Sequence, residues 1–179
     1  KWAEINIDKF SRPARYTKFN SGQSNPTYLV ETSQKKYVLR KKPEGKLLKS
    51  AHAVDREYRV QLALQNSEVP VPRMAAFCSD LSILGTEFYI MDHIEGTCFE
   101  DPCLNIVAKD NRYSIFEEMS TILAKIHKVD LLKVGLLDFG PSGNYFSRQI
   151  TRWTKQYLSS ETDKIEKMDQ LIKWLEENI

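Results

Sequence analysis

The chain has 179 residues, of which 41% are hydrophobic and 28% charged, and its net charge is +2. This length suffices for one domain with a sizeable core, or for one domain and part of another. The near-neutral charge argues neither for nor against a polyanionic partner. We expect no nucleic-acid partner, and no run approaches the roughly 20 apolar residues that span a bilayer.

The first half of the sequence carries the pattern of a small β-sheet. Runs rich in β-branched and aromatic residues predict strands over 15–19, 27–32, 36–41, 73–78 and 87–93. Between the third and fourth strands, a helix is predicted over 51–65, with Ser50 as its N-cap. Val54, Tyr58 and Leu62 recur at every fourth residue and give this helix one apolar stripe.

After Gly96 the pattern becomes helical. Apolar residues keep helical spacing over 110–127, and a loop rich in glycine and aromatic residues, LLDFGPSGNYFS, follows. Helical spacing then returns and continues to the end of the chain. We therefore predict two parts, a β-rich part over 1–95 and an α-rich part over 96–179.

Five strands, with one helix between the third and fourth, followed by further helices, is the order of a kinase small lobe that leads into a large lobe. The stretches SGQSNPTYLV, YVLRKKPEGKLL, SAHAVDREYRV, FYIMDHIEG and GNYFSRQITRWTKQY give the order its specific residues. On these stretches the chain resembles the aminoglycoside phosphotransferase-like kinases. It is most similar to the N-terminal kinase domain of certain acyl-CoA dehydrogenase family members.

The resemblance implies an α+β, protein-kinase-like fold. The small lobe, Lys1 to about Glu95, would be a five-stranded antiparallel sheet with one inserted helix, and it would bind a nucleotide. Residues 96–179 would form the hinge exit and the first helices of an incomplete helical large lobe.

The turn between the first two strands covers the nucleotide phosphates in such a lobe, which requires inward-pointing N–H groups and little side-chain bulk. The residues expected there are Ser21, Gly22, Gln23 and Ser24, and the side chains of Ser24 and Asn25 could add donors to phosphate oxygens. The alternative is an ordinary hairpin turn built from turn-forming residues.

A kinase also needs a fixed cation on the third strand and a carboxylate on the following helix that holds the cation in place. By resemblance these are Arg40 and Glu57, although the wider family more often has lysine at the first position. Glu57 lies three residues after Val54 and so borders the inward stripe of its helix. The alternatives are an exposed cation in a basic turn and a solvated helix charge.

FYIMDHIEG has the character of a buried strand that runs into a hinge. By resemblance, the Asp92 carbonyl and the Ile94 N–H would bond the adenine edge, and Met91 would close the back of the adenine pocket. The alternative is a plain core strand.

Phosphoryl transfer further requires a carboxylate near the acceptor hydroxyl and oxygen ligands for Mg²⁺. The family supplies them from an HGD-type loop with a following Asn and from a later Asp, and no His or Asp of this chain fits. Asp138-Phe139-Gly140 lacks the context of the protein-kinase DFG motif, and His52 and His93 are expected to be structural. ATP and Mg²⁺ are thus the implied cofactors, with the metal ligands expected beyond residue 179 and no catalytic residue within the chain.

The implied function is the ATP-binding portion of a small-molecule phosphotransferase that acts on a hydroxyl group. By resemblance the substrate is a hydroxyacyl-CoA and the parent protein is fused to an acyl-CoA dehydrogenase domain. An aminoglycoside-type kinase and a non-catalytic, pseudokinase-like interaction or regulatory module are the alternatives. Because the chain opens on Lys1-Trp2 without a methionine, we expect a fragment of a longer protein.

Three cysteines without a CxxC pair indicate reduced thiols in an intracellular protein. The resemblance further implies mitochondria or peroxisomes.

Overall fold

The computed structural model describes residues 1–20, 24–45 and 52–179. They form two compact units, Lys1–Leu136 and Leu137–Ile179. Within the described residues, the first unit contains a five-stranded sheet and four helices, and the second unit contains two helices. The lobe limits 1–95 and 96–179 stay a prediction.

The strands lie within one residue of the bounds predicted for them. They are β1 (Arg15–Lys18), β2 (Thr27–Glu31), β3 (Lys36–Lys41), β4 (Met74–Cys78) and β5 (Phe88–Asp92). The helices are α1 (Trp2–Asn6), α2 (Val54–Leu64), α3 (Leu81–Leu84), α4 (Lys109–His127), α5 (Tyr145–Ser160) and α6 (Glu166–Glu177).

All strand pairs of the sheet are antiparallel, and the strand order is β1-β2-β3-β5-β4. The last strand in sequence thus inserts between β3 and β4, which places β3 and β5 at the centre. The predicted α+β class with a five-stranded antiparallel sheet is confirmed.

Each face of the sheet is covered by a different helix, because successive side chains of a strand point to opposite faces. On the outer face, α1 places the Trp2 ring 5.0 Å from the Phe88 ring, centroid to centroid, beside a buried cluster of apolar residues. On the inner face, Tyr58 of α2 packs 5.4 Å from Phe77, next to Tyr89. Burial of each large apolar side chain stabilises the fold by about 1.5–3 kcal/mol.

Two short helices were not predicted. The helices α1 and α3 have five and four residues, too few to show a helical period. The local signals of α3 are nevertheless present in the sequence. The Asp80 carboxylate accepts a hydrogen bond from the Ser82 N–H at its start, and Gly85 ends it in the left-handed region with φ 76°.

Two helix boundaries also differ from the prediction. The helix α2 begins at Val54 with Ala53 as its N-cap, and the predicted cap Ser50 lies outside the described residues. The C-terminal helical pattern is interrupted over 161–165, between α5 and α6.

The three helices α4, α5 and α6 contain no buried residue. Their apolar residues keep helical spacing but stay at least partly exposed. None of the helices in the described part of the chain combines the length and apolar character needed to cross a membrane.

Candidate functional site

An ion pair joins the sheet to α2 on the inner face. Arg40, on β3, donates from Nε to Glu57 Oε2 at 2.7 Å and from Nη2 to Glu57 Oε1 at 3.4 Å. The two side chains are 28% and 33% exposed, so solvent can reach them while their geometry is fixed. The structure therefore brings together the two charges whose pairing the sequence analysis expected.

Arg40 is also held from β2. Its Nη1 donates to Thr27 Oγ1 at 3.1 Å. A guanidinium carries five N–H groups, and the contacts with Glu57 and Thr27 use three of them. Among the described residues no partner is found for the other two, so Arg40 can offer two fixed donors to an anion.

Two further side chains complete the surroundings of Glu57. The Tyr89 hydroxyl, on β5, donates to Glu57 Oε2 at 3.0 Å, and Gln61 Nε2 donates to the Tyr89 hydroxyl at 3.3 Å. Burial raises the pKa of Tyr89 to about 12, and the neighbouring Glu57 carboxylate acts in the same direction. Tyr89 therefore stays protonated and acts as a donor at neutral pH.

Asn25 contacts the same carboxylate from the other side. Its Nδ2 donates to Glu57 Oε1 at 2.9 Å, and its Oδ1 lies 2.8 Å from His52 Nδ1. Asn25 is only 2% exposed. The residue that was expected to offer a phosphate donor is thus buried, with both ends of its amide bound by protein groups.

The sheet register arranges the inner face into two neighbouring rows. Thr27, Arg40 and Tyr89 lie opposite one another on β2, β3 and β5 and form what we call the polar row. Leu29, Val38 and Met91 lie opposite one another two residues further along and form the apolar row. A separation of two residues corresponds to about 7 Å along a strand, so a cation and an apolar surface stand side by side.

Beyond the apolar row, β5 ends in the predicted hinge. The Asp92 N–H donates to the Arg73 carbonyl at 2.9 Å, and its carboxylate is paired with Lys35 Nζ at 2.6 Å. The chain leaves the sheet after His93, whose N–H bonds the Lys36 carbonyl. Ile94 is 64% exposed, and among the described residues its N–H has no hydrogen-bond partner.

The turn that follows β1 is only partly described. Ser21, Gly22 and Gln23 lie outside the described residues, and Ser24 is exposed. Their expected contacts with phosphate stay a prediction.

Sequence reasoning missed Tyr89, Thr27 and Gln61. Gln61 follows Glu57 by one helical turn, a spacing that the sequence shows. Thr27 and Tyr89 join Arg40 only through the strand register, which links residues far apart in sequence.

Within the described ranges no group of three or more His, Cys, Asp or Glu side chains could hold a metal ion. The structure places Asp138 and Phe139 of the DFG-like stretch in a turn of the second unit.

Comparison with known proteins identifies the family. The protein-family model described as "Phosphotransferase enzyme family" matches residues 15–179 of this chain. The chain belongs to this phosphotransferase family. Membership confirms the resemblance that the sequence motifs indicated.

Relatives of this phosphotransferase-family chain include much longer proteins. It is 45% identical over 163 residues to acyl-CoA dehydrogenase family member 10 of Mus musculus, covering 91% of this chain and 15% of that protein. It is 44% identical over 163 residues to acyl-CoA dehydrogenase family member 11 of Rattus norvegicus, covering 91% and 21%. The resemblance to acyl-CoA dehydrogenase family members is thus also confirmed.

A solved structure gives the same fold for this phosphotransferase-family chain. The crystal structure of a protein assigned as an aminoglycoside phosphotransferase, from Ralstonia eutropha JMP134, matches with a TM-score of 0.81 and 42% identity. The match covers 99% of this chain and 51% of that chain. The kinase-like α+β fold is confirmed, and the chain spans about half of the solved protein and 15–21% of the two curated relatives.

Proposed function

We propose that this chain is the ATP-binding portion of a phosphotransferase that transfers a phosphoryl group to the hydroxyl of a small molecule. The observation that carries the proposal is the pair of rows on the inner face. The polar row offers the two remaining N–H groups of Arg40, and the apolar row lies beside it, between Arg40 and the hinge.

A nucleotide would extend along the inner face from the apolar row to the polar row. A purine would lie against the apolar row, with its polar edge on the hinge main chain at Asp92 and Ile94. The phosphates would then reach the polar row, where Arg40 offers a rigid fork that suits phosphate oxygens. Thr27, the first residue of β2, is the register partner of Arg40, and the phosphate contacts proposed for Ser21, Gly22, Gln23 and Ser24 would come from the residues that precede it in the chain.

In the proposed reaction the acceptor hydroxyl oxygen forms a bond to the γ-phosphorus of ATP, and the bond from that phosphorus to the β–γ bridging oxygen breaks. The products are a phosphate monoester, ADP and a proton. The chemistry requires charge neutralisation by Mg²⁺, and its ligands are proposed to lie outside the described residues.

The experiment that tests nucleotide binding is a calorimetric titration of Mg-ATP into the wild-type chain and an Arg40→Ala variant. We expect saturable binding to the wild type and at least about a tenfold loss in the variant, because a charged hydrogen bond to phosphate contributes about 1.5–3 kcal/mol. Lys41→Ala is the matched control, since Lys41 is the next residue on β3, faces the other side and pairs with Glu44 at 3.0 Å. Equal binding by the wild type and Arg40→Ala would contradict the assignment.

We further propose a hydroxylated acyl-CoA as the acceptor. The support is that two relatives are named acyl-CoA dehydrogenase family members and match the chain over 91% of its length. On the same resemblance we propose a mitochondrial or peroxisomal location. The test is ADP release by the full-length protein with a hydroxyacyl-CoA, compared with the acyl-CoA that lacks the hydroxyl. Activity with both would indicate ATP hydrolysis rather than transfer.

An aminoglycoside is the second candidate acceptor, because the solved relative is assigned as an aminoglycoside phosphotransferase. Phosphate transfer to an aminoglycoside in the same assay, with none to the hydroxyacyl-CoA, would favour it. ATP binding without turnover on either substrate would favour the pseudokinase-like module.

A further inference from the structure

Apart from tyrosine and cysteine, Asn25 is the only polar or charged residue that is buried among the described residues. Burial of an amide without hydrogen bonds is unfavourable. Asn25 avoids this cost, since its NH₂ group donates to Glu57 and its carbonyl oxygen faces His52. A buried amide with both ends bound is a specific structural element rather than a surface turn residue.

Arg40, Glu57, Asn25 and Thr27 form a closed ring of hydrogen bonds. Arg40 donates to both oxygens of the Glu57 carboxylate, and Asn25 donates to Oε1. The Thr27 hydroxyl donates to the Asn25 main-chain carbonyl at 3.0 Å and accepts from Arg40 Nη1. Each member of this four-residue ring thus restrains the position of the next.

The orientation of the Asn25 amide follows from the chemistry of its partners. Because an ionised carboxylate only accepts hydrogen bonds, the NH₂ group must face Glu57 and the carbonyl oxygen must face His52. His52 Nδ1 must therefore carry a proton and donate to Asn25.

His52 is itself held in an uncommon backbone conformation. Its φ of 58° lies in the left-handed region, which is unfavourable for a non-glycine residue. The His52 carbonyl accepts from the Val54 N–H at 2.9 Å, immediately before α2. The segment immediately before α2 therefore presents the His52 imidazole to Asn25.

We propose that Asn25 is a positioning residue for the phosphate end of the site, and that His52 fixes the orientation of its amide. Asn25 links the chain before β2 to α2 and orients the Glu57 carboxylate, and Glu57 then fixes the direction of the Arg40 guanidinium. This inference rests on the proposed function, because it assigns Asn25 to the geometry of the proposed phosphate contact. Replacing Asn25 should accordingly weaken the binding of the phosphates and leave the binding of the base unchanged.

The test compares ATP with adenosine, which carries the base and ribose without phosphates. The full-length wild type, Asn25→Ala, Arg40→Ala and the double variant are titrated with each ligand, and thermal unfolding is recorded for every protein. We expect Asn25→Ala to weaken ATP binding at least about tenfold and adenosine binding less than about twofold. In the Arg40→Ala background, Asn25→Ala should have little further effect, since both act through the same contact.

Two more variants keep the test decisive if Asn25→Ala does not fold. Asn25→Asp preserves the side-chain shape but places a carboxylate against Glu57, and it should show the same loss for ATP alone. Asn111→Asp makes the same change at an exposed position on α4 and should bind both ligands as the wild type does.

Three outcomes are distinct. Selective, non-additive loss of ATP binding supports the inference. Unchanged ATP binding in both Asn25 variants, or equal losses for ATP and adenosine, overturns it and leaves the proposed function intact. A wild-type protein that binds ATP no better than adenosine overturns the proposed phosphate contact of Arg40, and the inference with it.

Discussion

Arg40 shows why the identity of a single cation matters in this site. Its guanidinium contacts Glu57 and Thr27 and still has two N–H groups left. A lysine ammonium carries three donors around one point and cannot span both neighbours in a planar fork. We expect Arg40→Lys to weaken Mg-ATP binding about tenfold while the charge is kept. Calorimetric titration measures this, and wild-type affinity in the variant would show that charge alone suffices.

Tyr89 provides a prediction on stability and its pH dependence. Tyr89→Phe removes the hydrogen bond to Glu57 and should lower the free energy of unfolding at pH 7 by about 1 kcal/mol. The pKa of Tyr89 is raised from 10.0 to about 12 in the folded protein. Its contribution to stability is therefore complete below pH 10 and is lost as the pH rises through 12.

The difference in the free energy of unfolding between the wild type and Tyr89→Phe should consequently become smaller between pH 10 and pH 12. Chemical denaturation at pH 7 and pH 11 measures it, with Tyr113→Phe, at a 73% exposed position, as the control. A difference that stays constant with pH would contradict the buried, hydrogen-bonded role of the hydroxyl.

The sequence reveals only those residues of the site whose partners follow from local periodicity or family motif. Glu57 borders the apolar stripe of α2, and Arg40 has a fixed place in the YVLR strand, so both could be predicted. Tyr89 and Thr27 could not, because they meet Arg40 through the sheet register. Asn25 is predicted to contact phosphate because of its place in the turn between the first two strands, and nothing local in the sequence indicates its burial.

At the scale of elements, the bounds of the strands were predicted to within one residue, because an alternating residue pattern and β-branched residues directly indicate a strand. The sheet order was not predicted, since the insertion of β5 between β3 and β4 is decided by packing between distant segments. The helices α1 and α3 are shorter than the period that would reveal them. The gap between α5 and α6 contains no proline or glycine, which are the usual signs of a helix end.

The turn between β2 and β3 is tied to the end of β5, and this tie gives the next prediction. Thr32 holds the turn through its hydroxyl, which donates to the Lys35 carbonyl at 2.7 Å, and Lys35 Nζ pairs with Asp92. Asp92 is 19% exposed, and its Oδ1 is shielded without a partner among the described residues. We expect Lys35→Met to lower the free energy of unfolding by about 1 kcal/mol.

A double-mutant cycle separates this ion pair from the packing of the lysine stem. If the ion pair is responsible, Lys35→Met should lower the free energy of unfolding clearly less in an Asp92→Asn background than in the wild type, as measured by chemical denaturation. Additive losses would show that the turn and the hinge strand are independent.

For the whole molecule, the distribution of buried side chains predicts where the fold is most stable. The sheet core lies at β3 and β5, where Tyr37, Phe88 and Tyr89 are each 1% exposed, whereas α4, α5 and α6 contain no buried residue. Helices that bury little surface depend on their own propensity and open readily. In the 179-residue chain, the amides of β3 and β5 should therefore exchange most slowly with solvent, and those of the three helices much faster.

Hydrogen exchange followed by mass spectrometry tests this distribution and the proposed site in one measurement. Mg-ATP at about 100 times its dissociation constant should stabilise the state that binds it by about 2.7 kcal/mol. The added protection should appear in α2 and in the turn after β1, since Glu57 and Asn25 restrain Arg40, and α5 and α6 should not change. Slow exchange in α5 and α6 without nucleotide would contradict the stability argument. Uniform protection by ATP would instead show that nucleotide binding stabilises the whole chain rather than the inner face of the sheet.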